Sequence, residues 1–149
     1  MAISKATGFS GLKISPKLVA DSTAITISAN DSGRIHIMPD LTADATITLP
    51  AAFAGATYEF LYSGTAADAH DWTINAAATT ELFKGGVVHL DTDAGSAGDE
   101  VVPVDADAVD DDTLTVNVPF VGTHVKLVSD GSYWYVTGQV VSATAPAFS

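Results

Sequence analysis

The chain has 149 residues, 47% of them hydrophobic and 16% charged, with 18 acids against six Lys and Arg for a net charge of −12, and it has no cysteine. That length suits one domain able to bury roughly 70% of the surface of its unfolded chain, and the missing cysteines exclude disulfides and thiolate metal sites. The acidity argues against nucleic acid and anionic membranes as partners, no stretch approaches the ~20 apolar residues of a membrane span, and Met1–Ala6 lacks a signal-type apolar run, which predicts a soluble protein made in the cytoplasm.

Charge is uneven along the chain. Residues 1–17 carry Lys5, Lys13 and Lys17 and no acid, whereas residues 18–149 hold three cations against all 18 acids, a net of −15. Residues 1–20 read as an extended N-terminal arm. Gly8, Gly11 and Pro16 interrupt any periodicity, while Phe9, Leu12, Ile14, Leu18 and Val19 are too apolar for a simple disordered tail.

Strands follow at short intervals over residues 21–149. Period-2 alternation runs through Ala24–Ser28, Arg34–Met38 and Ala45–Leu49, with Asn30-Asp31-Ser32-Gly33, Pro39-Asp40 and Pro50 as breaks. Thr57–Tyr62 and Trp72–Ala76 are aromatic-rich strands, and 84–90, 114–118, 121–128 and 133–141 bring the total to about nine. The last two flank Asp130-Gly131, a tight hairpin turn. Such spacing predicts an all-β fold, a single-domain antiparallel β-sandwich of jelly-roll-like type. Residues 91–112 hold nine acids and no cation, and read as a long exposed acidic insertion.

Chemistry-bearing constellations are sparse. Asp91, Asp93 and Asp99 offer oxygen ligands at the start of a calcium-loop-like run, yet Gly95 falls one position early and Val102 stands where a bidentate Glu belongs. Beyond that calcium candidate no cofactor is expected, and Asp105, Asp107 and Asp110–Asp112 form a second carboxylate cluster without recognised spacing. His36, His70, His89 and His124 stand apart from one another, no Gly-x-Ser-x-Gly elbow occurs, and Lys84-Gly85-Gly86 lacks the phosphate-loop spacing, so a catalytic role is not expected. Glu59 is expected to face solvent between inward aromatic neighbours. Tyr58, Tyr62, Trp72, Tyr133, Trp134 and Tyr135 are candidates for core, for an interface between copies, or for a sugar-stacking platform. Of these, Tyr133, Trp134 and Tyr135 are the candidate oligomer interface.

Four segments in order carry a resemblance: Asp31-Ser32-Gly33, Thr46-Ile47-Thr48-Leu49-Pro50, Gly55-Ala56-Thr57-Tyr58-Glu59-Phe60, and Asp130-Gly131-Ser132-Tyr133-Trp134. Together with Trp72–Asn75 they fall within residues 24–76 and 125–138, about half the chain, and the combination resembles the β domains of tailed-phage capsid decoration (cement) and head-fibre proteins. The acidic stretch 91–112 has no counterpart in that pattern. The resemblance implies a structural virion protein on the outer surface of the head, often a homotrimer, clamping neighbouring major capsid subunits. The alternative it implies is a head-fibre or tail-associated carbohydrate-binding module. For the first role, Lys5, Phe9, Leu12, Lys13, Ile14 and Lys17 are the expected capsid-binding residues of the arm.

Overall fold

Among the described residues there are twelve strands, the longer ones built by alternation of apolar and polar residues: β1 (Lys17–Leu18), β2 (Ala24–Thr26), β3 (Ile35–Met38), β4 (Ala45–Thr48), β5 (Ala54–Tyr62), β6 (Trp72–Asn75), β7 (Phe83–Asp91), β8 (Val101–Asp107), β9 (Thr113–Val116), β10 (His124–Asp130), β11 (Trp134–Ser142) and β12 (Ala147–Phe148). The computed structural model describes residues 15–93, 101–107 and 109–149. No helix among them is long and apolar enough to cross a membrane. Two sheets pack face to face as a β-sandwich: seven strands in the order β1-β3-β5-β10-β11-β7-β8, and five in the order β12-β9-β6-β4-β2.

The sandwich agrees with the sequence reading, but its ladders are mixed. Successive strands β1 to β7 fall alternately in the two sheets, so each connection crosses the sandwich and neighbours within a sheet are two strands apart in sequence. Returning to the same sheet in the same direction makes β1–β3, β3–β5, β2–β4 and β4–β6 parallel, and β7–β11 is parallel as well. The expectation of an antiparallel, jelly-roll-like order is corrected accordingly. Antiparallel hairpins do join β7 to β8 and β10 to β11.

Two further boundaries move. Lys17–Leu18 belongs to the seven-stranded sheet, so the sandwich already includes the end of the stretch read as arm. The acidic stretch is not one loop either, because Val101–Asp107 pairs with β7 along seven positions. Its inward residues Val104 and Ala106 pack on the core, which leaves Pro103, Asp105 and Asp107 on the other face.

The core forms where the inward sets of both sheets meet. Trp72, Ile47, Ile74 and Leu114 from the five-stranded sheet face Tyr58, Phe60, Phe83, Leu127 and Trp134 from the seven-stranded sheet, all fully buried. Tilted ring pairs join them, with centroids 5.8 Å apart for Tyr58–Trp134 and 5.7 Å for Tyr62–Trp72. Burial of each such side chain contributes about 1.5–3 kcal/mol. At the β10–β11 turn, Gly131 takes a φ of 100°, and Asp130 accepts the N–H groups of Ser132 (2.8 Å) and Tyr133 (2.9 Å).

Gly138 is required by close approach. Its φ is 152°, and a Cβ there would lie 2.2 Å from the His124 carbonyl oxygen on β10. Gly138→Ala is therefore expected to cost more than about 2 kcal/mol, read as a lower urea midpoint at unchanged slope. A midpoint equal to the parent's would show that β10 and β11 can separate freely there.

His36 on β3 is buried between sheets, 5.2 Å from the Phe60 ring, and among the described residues neither ring nitrogen has a well-aligned hydrogen-bond partner. Burial pushes its pKa below the usual histidine value. The unfolded chain then binds a proton below about pH 6.5 that the folded chain refuses, so stability is full above that pH and falls as pH drops toward the lower folded value. His36→Leu should remove that loss between pH 7 and pH 5 in thermal melts. An identical pH profile for both proteins would assign the dependence elsewhere.

Candidate functional site

The described end of the N-terminal arm is clasped to the sandwich. Ser15 to Leu18 track Arg34 to Ile37: the Arg34 Nε donates to the Ser15 carbonyl at 3.1 Å, Lys17 lies opposite His36, Leu18 lies opposite Ile37, and the Val19 N–H donates to the Ile37 carbonyl at 3.0 Å. The residue before a proline favours extended backbone, so Ser15-Pro16 suits this straight entry.

Asp31 closes the clasp. It ends a 3₁₀ turn, Ala29–Asp31, whose start is capped by the Ser28 hydroxyl accepting the Asn30 N–H. The turn aims a buried carboxylate at both strands, with Lys17 Nζ at 2.6 Å and Arg34 Nη1 at 2.8 Å. The hydrogen bond from Lys17, with help from Arg34, holds the Asp31 carboxyl below its ordinary range against the opposing effect of burial. Sequence reasoning missed this residue, because Asp31 read only as a turn former beside Gly33.

Beyond the clasp the chain passes from β1 to β2, that is, from the edge of one sheet to the edge of the other. A cleft of about 290 Å³ opens there, its lining including Lys17, Leu18, Val19, Ile25 and Ile27. Leu18 is 80% exposed.

Of the arm residues expected to bind capsid, Lys5, Phe9, Leu12, Lys13 and Ile14 lie outside the described residues, as does Asp99. Lys17 is described, and its ammonium is engaged within the chain by Asp31. The expected trio Tyr133, Trp134 and Tyr135 is divided. Trp134 is fully buried, which corrects its assignment to a surface between copies. Tyr133 lies under the Lys84 ammonium, 3.2 Å from ring centroid to Nζ, while Tyr135 is exposed and its hydroxyl donates to Asp130 at 2.9 Å. Tyr58, Tyr62 and Trp72 are buried too, so only Tyr133 and Tyr135 of the six aromatics reach the surface.

Asp91 and Asp93 are joined by a local turn bond, with Asp91 accepting the Asp93 N–H at 2.8 Å. The described carboxylates that converge are Asp107, Asp110 and Asp111, with oxygens within 4.8 Å of one another. Asp111 accepts the Asp107 N–H, and Asp107 accepts that of Val109, so two of the three cap the chain that leaves β8. Glu59 faces outward as expected, 2.8 Å from His124 Nε2. Buried His89 lies 3.2 Å from the Ser142 hydroxyl, which itself donates to the Thr144 carbonyl at 2.7 Å and is thus tied into the backbone.

No protein-family model matches the chain, and no curated protein matches it.

Asp31→Asn tests the clasp. Losing the charge is expected to cost roughly 1–2 kcal/mol, discounted for two cations that are one-third exposed. Amide exchange at Val19 should speed up about tenfold. Since the folded pKa of Asp31 is lowered, its contribution is complete above the unfolded value of about 3.9 and is lost as pH falls through the folded one. Unaltered exchange at Val19 would mean the ladder alone holds β1.

Proposed function

We propose that this chain is a structural virion protein that decorates the outer surface of a tailed-phage head and clamps neighbouring major capsid subunits. The observation that carries the reading is the clasp. A pull on the chain upstream of Ser15 is resisted by the Lys17–Asp31–Arg34 ion pairs and by the β1–β3 ladder, which join it directly to a seven-stranded sheet. A tether that transmits force to a rigid body is what a clamp needs, and the capsid-contacting residues in this reading are Lys5, Phe9, Leu12, Lys13 and Ile14 of that tether.

The segments that carry the resemblance support the same role through the fold. Asp31-Ser32-Gly33 forms the turn into β3, Ile47 and Leu49 are core residues around β4, Tyr58 and Phe60 fill the centre, and Trp134 closes the β10–β11 hairpin against them. Several copies, a homotrimer in this reading, would add modest contacts into avidity. The acid-rich body would face outward and keep particles apart through like charge.

The test is copy number in purified virions by quantitative mass spectrometry, paired with cosedimentation on undecorated heads. The reading expects from one copy per capsid subunit to one per few subunits. It also expects loss of head binding when residues 1–14 are removed and β1 is kept. A few copies per particle would favour the head-fibre or tail module, and absence from particles would overturn the virion reading.

A further inference from the structure

The two outward faces of the sandwich occupy equivalent positions on their strands yet differ in chemistry. On the five-stranded sheet the outward residues include Thr26, Thr46, Thr48, Thr73, Thr113 and Thr115, aligned across β2, β4, β6 and β9, with no charge among them. The seven-stranded sheet instead presents Leu18, Ile37, Leu61 and Val88 in one cross-strand row with His124 and Gln139 between them. Ile35 and Tyr135 lie in the next rows. Ile35 is 38%, Val88 40% and Tyr135 42% exposed. β-propensity favours branched residues on any strand, so it does not explain an uncharged threonine face on one sheet and a row of aliphatic side chains on the other. Broad apolar surface of this kind marks a contact site.

We infer that the outer face of the seven-stranded sheet is a contact surface between copies of this chain. Charge selects the occupant. The chain carries −12 overall, so most of its surface repels a second copy. Two of the four acids across this face lie opposite a cation, Glu59 opposite Lys126 and 2.8 Å from His124, and Asp107 opposite Lys84, which leaves Asp105 on β8 and Asp130 at the hairpin turn. A copy approaching here meets an apolar row flanked by charges of both signs, with two uncompensated acids.

Area permits it as well. Seven strands about 4.8 Å apart, showing from one outward residue on β1 to four on β7 and about three on average, spaced about 6.6 Å apart, give a face of roughly 600 Å² in projection. Side-chain relief makes the accessible area larger than the projection, which brings it near the roughly 800 Å² per partner of a standard interface. The inference does not depend on capsid attachment, because self-association is measured on the purified chain alone.

Light scattering on the eluting full-length chain tests it, comparing the parent with Ile35→Glu, Val88→Glu and, on the opposite face, Thr46→Glu. These positions are exposed, so the variants should keep the parent's melting temperature to within a few degrees. The expected result is a multiple of 15.3 kDa for the parent and for Thr46→Glu at micromolar concentration. Ile35→Glu and Val88→Glu should shift to the monomer, with dissociation constants raised at least about tenfold by a charge buried without a partner. A parent that stays monomeric up to its solubility limit overturns the inference. So does an oligomer that survives both glutamates, and so does one that only Thr46→Glu disrupts.

Discussion

Crossing the sandwich at every connection from β1 to β7 is the constraint on which the rest of the molecule depends. Each crossing spans the ~10 Å between stacked sheets and delivers the next strand to the other layer. Neighbours within a layer therefore arrive parallel, and each layer builds inward from its β1 or β2 edge, with no hairpin among the described residues until β7 turns into β8. The same path leaves β1 and β2 as short strands at one rim of the sandwich, one in each sheet. The Asp31 clasp sits at that rim, and the cleft lined by Leu18 and Ile25 opens between the two edges.

Strand positions were legible because burial imposes period 2. Tyr58, Phe60 and Tyr62 alternate with Thr57, Glu59 and Leu61, and the inward set is the core. Strand direction was not legible, because a six-residue connection serves a hairpin or a crossing equally well. β8 was hidden by composition: Asp105 and Asp107 drew the eye to charge, although Val104 and Ala106 already alternated with them. β1 and β12, two residues each, are too short to carry any pattern and exist because a longer neighbour offers them an edge.

The sites divided along the same line. Trp134 looked available for a partner because alternation alone does not say which side of a strand is inside, and the answer came from its contact with Tyr58. Lys17 looked like a free cation of a basic arm because its partner, Asp31, lies 14 positions away in a turn. The segments that carried the resemblance proved to be turn and core residues. They describe how this chain folds more fully than what it touches, and the surface chemistry had to be read from the register of the sheets.

The β10–β11 hairpin has one further consequence. It stands between β5 and β7, so the seven-stranded sheet is completed by residues 124–142 wedged between strands that precede it by some 40 to 70 positions in the chain. On the ribosome, β5 and β7 emerge with their facing edges bare and stay so until the hairpin is released. Unpaired edges of this kind invite pairing with other chains, and such long-range closure is slow. The acids gathered between β7 and β10 leave the ribosome during that same interval. They give the half-built sheet its strongest mutual repulsion while its edges are still open.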